Sequence, residues 1–589
     1  MTDSINPEFQ EADPTSINPN FKFTDPQISI PNNYQGIPTG TQRVSYQNAH
    51  EVGGQELNDH NQVPRGLSKP PSAMVNYKNN SLPTRGLEIN PHFQQNEPIL
   101  EPRNVQIRGD ENNSRPAYNC PYLWVFYLIL LVVEILFIIL FACLFQFEKD
   151  IKENNNNETS KNELNDYHVF FNSVQVIFII GLGLLHGYLK HHTWSSLAIE
   201  LFVGVFGIQV GLLSVAFWEA VFDGFDENKA NFTFRLLMKS ELNSYTTMIT
   251  ISSLIGKLTM PQYLILSIFE GFCSAFNYAL NIVQFQAIDD GGSLYIYCFG
   301  GFFGLAASFI MFCGEPSGQI QSWRKNHEGG SYNSSILGLL GTCVFIVFMP
   351  ALNSCLGPLT KEDDGNNENN NNDYNEYNFR YRGFINTFFS LIGSSISSFA
   401  CSSIYNCGRF KVNQVLFSTI TGGVIVAGSC CIITDVYSSI IVGLIVGALS
   451  VFLFGIVNKC YNDNNLFDTL GSSNLFGIPG FLGGILTSIF IAAADDNLKD
   501  EVLFNSRTKQ EQSGVEIGCA FATLAISLIT GGIIGLILKV LPLGETSKYF
   551  VDSEHFDEES EPFPEYYRPQ LPNGYKGYRG GNIELRQYN

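Results

Sequence analysis

The sequence predicts an all-α polytopic membrane protein with about twelve transmembrane helices. Two observations carry that prediction. Only 15% of the 589 residues are Asp, Glu, Lys or Arg, against roughly 25% in an ordinary soluble chain. Most of residues 121–540 reads as apolar blocks of about 20 residues, the length a helix needs to span a hydrocarbon layer roughly 30 Å thick. The mean hydropathy of +0.05 hides this division, because it averages those blocks with polar tails.

Residues 1–118 are rich in Asn, Pro and Gln and have almost no apolar run. They read as a disordered cytoplasmic tail, since little there offsets the entropy of ordering. No apolar core lies near Met1, so the first spanning helix is expected to act as the insertion signal. The membrane domain is placed at 119–540. Its predicted spans are 121–146, 169–188, 193–218, 243–256, 261–281, 293–313, 334–356, 383–402, 412–431, 434–458, 477–494 and 516–540. The fourth is short and Ser/Thr-rich, which makes its limits the weakest. Residues 541–589 form an acidic tail, expected on the same side as the N-terminus.

Charge orients the spans. With the N-terminus cytoplasmic, the inner loops carry Lys190, Lys257, Arg324, Lys325, Arg409, Lys411 and Lys459. The outer loops are acidic or Asn-rich, as in KEDDGNNENNNNDYNEYN, which is the positive-inside pattern. Asn157 in NET and Asn231 in NFT fall in outer loops and are expected glycosylation positions. The net charge of -21 belongs mainly to tails and loops. No basic run or stacking platform points to nucleic acid. The 13 cysteines lack a C-x-x-C pair and read as inert thiols, so no metal or cofactor is expected. The Lys190, His191 and His192 cluster reads as interfacial charge. His186, Glu200 and Glu219 lie in or near spans without an assignable role, and no connected set resembles a nucleophilic triad.

Small residues recur in the blocks, as in FGGFFGLAAS and FGIPGFLGGI. In lipid they let helix backbones approach closely, which predicts a compact bundle. Two segments stand apart: Asp289 to Gly300, DDGGSLYIYCFG, and Asp468 to Gly480, DTLGSSNLFGIPG. Each has an acid near a membrane entrance, and an aromatic follows eight positions later, Tyr297 and Phe476. The two helices would run in opposite directions, which hints at inverted halves about one path. Asp289 and Asp468 are expected to support a helix start or a vestibule, by accepting exposed N–H groups.

These two segments resemble the signature segments of the ammonium transporter/Rhesus glycoprotein superfamily, in its Rhesus branch. LFVGVFGIQVGLL, SSLIGKLTMPQYL and FMPALNS extend the resemblance over roughly residues 121–540. The resemblance implies an inverted-repeat bundle in the lipid bilayer, assembled as a homotrimer or Rhesus-type heterotrimer with one pore per subunit. It places paired pore histidines at the positions of Tyr297 and Phe476, and this chain has neither. The aromatic outer constriction aligns with Leu242 and Leu352. An imidazole offers both a donor and an acceptor, whereas Phe476 offers no polar atom.

The leading expectation is therefore a passive channel, not an enzyme, for ammonia or another small neutral solute such as carbon dioxide. The alternative is a non-conducting Rhesus-like subunit serving assembly or membrane architecture; a sensor signalling through the tails is a third reading. The membrane is expected to be the plasma membrane or an endomembrane such as the vacuolar one.

Overall fold

The computed structural model describes residues 121–146, 168, 170–224, 230–316, 318, 329–356, 371–464, 466–494, 507–541 and 552. The predicted tail 1–118 lies outside the described residues, as does the predicted C-terminal tail apart from Leu541 and Asp552.

Twelve membrane-length or shorter apolar helices follow one another among the described residues. They are α1 (Pro121–Leu144), α2 (Phe170–His186), α3 (Ser195–Phe222), α4 (Phe234–Leu254), α5 (Met260–Gln284) and α6 (Ser293–Phe312). Then come α7 (Tyr332–Ser354), α8 (Asn371–Tyr405), α9 (Val412–Val426), α10 (Val436–Asn464), α11 (Ser473–Ala493) and α12 (Lys509–Val540). Each predicted span has its helix. The chain is thus an integral multi-pass membrane protein.

Two boundaries depart from expectation. Helix α4 starts at Phe234, nine residues before the predicted 243, where Thr233 Oγ1 accepts the Leu236 N–H at 3.1 Å. Hydropathy understates α4 because its polar side chains spend their hydrogens on backbone carbonyls. Ser240 donates to Leu236 O at 2.7 Å, Ser244 to Gly204 O at 2.8 Å and Asn243 to Gly271 O at 3.0 Å. A polar helix is stable inside a bundle once those groups are paired. Helix α8 begins at Asn371, inside the predicted outer loop 361–378.

The bundle has two similar halves. Helix α3 packs on α4 and α5; α8 packs on α9 and α10. Both α4 and α9 are buried along almost their whole length. Missing side chains permit the tight crossings: a Cβ on Gly211 would lie 2.6 Å from Ser240 O, and one on Gly447 would lie 2.6 Å from Ser394 O. The central helices α6 and α11 meet at Gly301, whose added Cβ would sit 2.5 Å from the Gly477 nitrogen. Helix α1 is peripheral: Leu128, Leu131 and Ile138 are exposed, consistent with a lipid-facing surface.

Two contacts tie down the ends. Strands β1 (Phe145–Gln146) and β2 (Ala230–Asn231) pair in parallel and anchor the end of α1 beside the start of α4. Asp552 accepts from the Trp194 and Ser195 N–H groups at 2.7 and 3.0 Å, so this residue of the acidic tail caps the start of α3.

Candidate functional site

The two signature segments open α6 and α11 with the same local geometry. Gly292 (φ 78°) and Gly471 (φ 83°) adopt the left-handed conformation that glycine reaches without steric cost. Each is followed by a widened π turn, Ser293–Cys298 and Ser473–Gly477. The preceding aspartates bind the turn's free N–H groups. Asp289 Oδ2 accepts from Leu294 at 2.8 Å and Tyr295 at 3.0 Å. Asp468 accepts from Gly471, Ser472 and Ser473 N–H groups and from the Ser473 and Ser253 hydroxyls, all within 3.1 Å. Both carboxylates are buried.

Eight residues beyond each aspartate, Tyr297 and Phe476 come together at the helix crossing. Their rings stack with centroids 5.8 Å apart and planes 12° from parallel. Both are fully buried. Tyr245 of α4 meets Tyr297 edge-on at 6.1 Å. The Tyr245 and Tyr297 hydroxyls face each other, and the Tyr295 hydroxyl has no hydrogen-bond partner among the described residues. The centre of the bundle is therefore apolar, with a few phenols on its wall. Cys298, next to Tyr297, faces a separate cluster with Leu294 and Cys519.

Leu242 and Leu352 are buried in the same apolar cluster as Tyr297 and Phe476. Leu352 sits beside Asn353, whose amide donates to Gly423 O at 2.9 Å and ties α7 to α9. Asn231 is exposed, and Gln146 Nε2 donates to its Oδ1 at 3.4 Å; Asn157 lies outside the described residues. A cavity of about 300 Å³ lies apart from this centre, beside β1, lined by Phe141, Phe145, Gln146, Leu212 and Phe232. Among the described residues, no group of three His, Cys, Asp or Glu is placed to hold a metal ion.

The structure also assembles groups that sequence reasoning left separate. His186 at the end of α2 hydrogen-bonds through Nδ1 to Glu200 of α3 and through Nε2 to the Ser252 hydroxyl of α4, the latter at 2.9 Å. A Ser–His–Glu chain therefore exists, contrary to the expectation that no connected set resembles a triad. It is not set up for nucleophilic attack: the Ser252 hydroxyl donates to Ile249 O at 2.6 Å and is fully buried. Glu219 pairs with Lys239 at 2.7 Å. One signal for the first pair was available. His186 and Glu200 are ionisable residues inside adjoining apolar blocks joined by a short turn, so antiparallel packing faces one with the other. Ser252 carried no such signal.

The comparisons with known proteins agree with this architecture. The model for the Ammonium Transporter Family matches residues 135–549. The chain is 27% identical to the Bos taurus ammonium transporter Rh type A over 419 residues, covering 69% of this chain and 88% of that protein. It is 28% identical to the Xenopus laevis ammonium transporter Rh type B-B over 448 residues, covering 73% and 90%. Among solved structures, Nitrosomonas europaea Rh50 superposes with a TM-score of 0.55 at 21% identity, covering 68% of this chain and 94% of that one. The last likeness concerns the fold. With a paired-aspartate, two-half bundle and a family match over most of its length, this chain belongs to the ammonium transporter family, in its Rhesus-type branch.

Proposed function

We propose that the chain is a passive conduit for neutral ammonia, or for another small uncharged solute such as carbon dioxide. Its family consists of transporters and channels, not enzymes. The observation that carries the reading is the stacked Tyr297–Phe476 pair in the apolar crossing of α6 and α11. An ion entering that crossing would lose its water and gain only a phenol, which is costly; a neutral molecule escapes most of that penalty. Ammonium would shed its proton at the outer side, pass Leu242 and Leu352 as ammonia, cross the Tyr297–Phe476 pair and regain a proton inside. In this reading Asp289 and Asp468 hold the helix starts that frame the path. The basic loops face the cytoplasm with both tails, Asn157 and Asn231 face outward, and the unit is a homotrimer or Rhesus-type heterotrimer in the plasma or an internal membrane.

The complete burial of the stacked pair favours a second reading, a non-conducting subunit that serves assembly. Stopped-flow measurement of internal pH in proteoliposomes separates the two. Conduction predicts fast alkalinisation that tracks free ammonia, without current proportional to ammonium, and its loss in Leu352→Trp. Permeability to ammonia and carbon dioxide equal to protein-free liposomes, from folded protein, gives the assembly reading.

A further inference from the structure

The family match accounts for the helix crossing but not for the polar chain at one end of it. His186 ends α2, Glu200 lies in the first turns of α3, and Ser252 lies near the end of α4. All three are buried, with side chains 0–1% exposed. The site faces Tyr245 on α4 and Tyr263 on α5, both within electrostatic range of Glu200. Titratable groups on the connecting segments nearby include His192 against Gly256, Asp552 within electrostatic range of Tyr263, and Lys257, which donates to Ser253 O at 2.5 Å.

The hydrogen-bond directions decide the protonation of this chain. The Ser252 hydroxyl has one hydrogen, and its shorter contact is with Ile249 O at 2.6 Å, an oxygen that can only accept. With that hydrogen spent on Ile249 O, Ser252 accepts from His186 Nε2 at 2.9 Å, the arrangement in which Nε2 carries a hydrogen. Nδ1 faces Glu200 Oε1 in direct contact. Two bare acceptors would repel there. One proton must lie between them, either on the ring as imidazolium against carboxylate or on the acid against neutral imidazole. Both arrangements carry the same net charge of zero, which lowers the cost of burial. The other carboxyl oxygen, Glu200 Oε2, has no hydrogen-bond partner among the described residues.

The chain is also joined to the helix crossing. Ser252 O accepts the Leu470 N–H at 3.3 Å, in the turn that opens α11. Its neighbour Ser253 donates to Asp468 at 3.0 Å. Tyr245 lies seven residues before Ser252, two turns along the same face of α4, or about 10 Å, and its ring touches Tyr297.

We propose that His186, Glu200 and Ser252 form a buried, exchangeable proton site beside the inner half of the path, a titratable imidazole displaced from the crossing where Tyr297 and Phe476 stand. The inference deepens the ammonia-conduit reading and rests on it for its role. In the inward step, the proton on the Nδ1–Oε1 line moves to the lone pair of an arriving ammonia. A new N–H bond forms, ammonium leaves, and neutral His186 remains beside ionised Glu200, two facing acceptors whose repulsion makes this proton-depleted state short-lived. A proton from inner water then refills the pair. Ser252 is a positioning residue, since it fixes the Nε2 hydrogen and so dedicates Nδ1 to the exchange.

The test uses the full-length protein in lipid. A pH-difference infrared spectrum should show one buried carboxyl or imidazolium band that disappears in both Glu200→Gln and His186→Gln. In Ser252→Ala the band should remain but shift, because Nε2 loses its acceptor. Ammonia flux in Glu200→Gln should fall about 100-fold or more, the low end of what a placed acid–base group contributes, and should lose its dependence on inner pH. A spectrum unchanged by Glu200→Gln overturns the site. Should that variant not fold, an unmoved band in Ser252→Ala overturns it equally. Wild-type protein that shows the band but conducts no ammonia overturns the conduit reading and leaves the proton site standing. Flux without the band does the reverse.

Discussion

At the start of α11, Asp468 uses both oxygens, taking three backbone N–H groups and two serine hydroxyls. At the start of α6, Asp289 takes two N–H groups on Oδ2, and its Oδ1 has no hydrogen-bond partner among the described residues. The surroundings differ in the same sense. Asp468 is fastened to α4 through Ser253, whereas Asp289 lies among acids: Asp290 is adjacent, and Glu516 accepts the Ile288 N–H at 2.8 Å. The two halves share one device for opening a helix inside the bundle, but one copy is saturated and the other keeps an unused acceptor. Saturation suits a fixed support. A spare buried acceptor leaves room for a polar visitor or a proton.

The sharpest way to break this comparison is to remove each carboxylate. Asp468→Ala strands several buried donors at once, and each stranded group costs about 1–3 kcal/mol. Little folded protein is therefore expected, read as loss of the monodisperse peak on size exclusion after mild heating. Asp289→Asn can keep both N–H groups on its one oxygen but buries an unpaired amide N–H where Oδ1 stood, and should cost about 1–3 kcal/mol, the penalty of one stranded donor. Equal losses would show that the difference in bonding has no energetic weight.

A smaller effect is expected at the pore-centre pair, which sharpens the contrast between the halves. Phe476→Tyr adds a hydroxyl where the ring is already packed and should destabilise by about 1–3 kcal/mol, the cost of a buried unsatisfied polar group. Tyr297→Phe removes a hydroxyl that meets only the Tyr245 phenol and should change thermal stability little. A stabilising Phe476→Tyr would mean that its side of the crossing holds an acceptor.

The smallest difference is expected at the two left-handed glycines. Gly292→Ala and Gly471→Ala each force an L residue to positive φ, costing about 1–2 kcal/mol. Gly292 has the tighter neighbour to displace, since its added Cβ would lie 2.4 Å from the Ile296 side chain, against 3.2 Å from the Phe454 ring for Gly471. Gly292→Ala should melt slightly lower in a thermal shift assay.

The helix count was legible because a membrane span needs a long apolar run, which one-dimensional reading detects. That signal failed at the start of α4, where Ser240, Asn243 and Ser244 are polar by composition but satisfied by carbonyls of their own or neighbouring helices. It also missed the helical stretch from Asn371, because polar residues outside an apolar block give no reason to extend it. The equal eight-residue spacing from Asp289 to Tyr297 and from Asp468 to Phe476 marked the two segments as related. Their stacking at 5.8 Å depends on how α6 and α11 cross at Gly301 and Gly477, which no local pattern specifies.

Apolar block length and small-residue content are local properties, so the sequence by itself determined a multi-pass helical bundle with two marked helix starts. Partnership between buried polar groups is a property of three-dimensional packing. Only the tertiary structure decided that Asp468 is saturated and Asp289 is not, and that residues 186, 200 and 252 share one hydrogen-bonded chain. The physical reason is that a hydrogen bond requires its two atoms within about 3 Å, and sequence separation across packed helices carries no information at that scale.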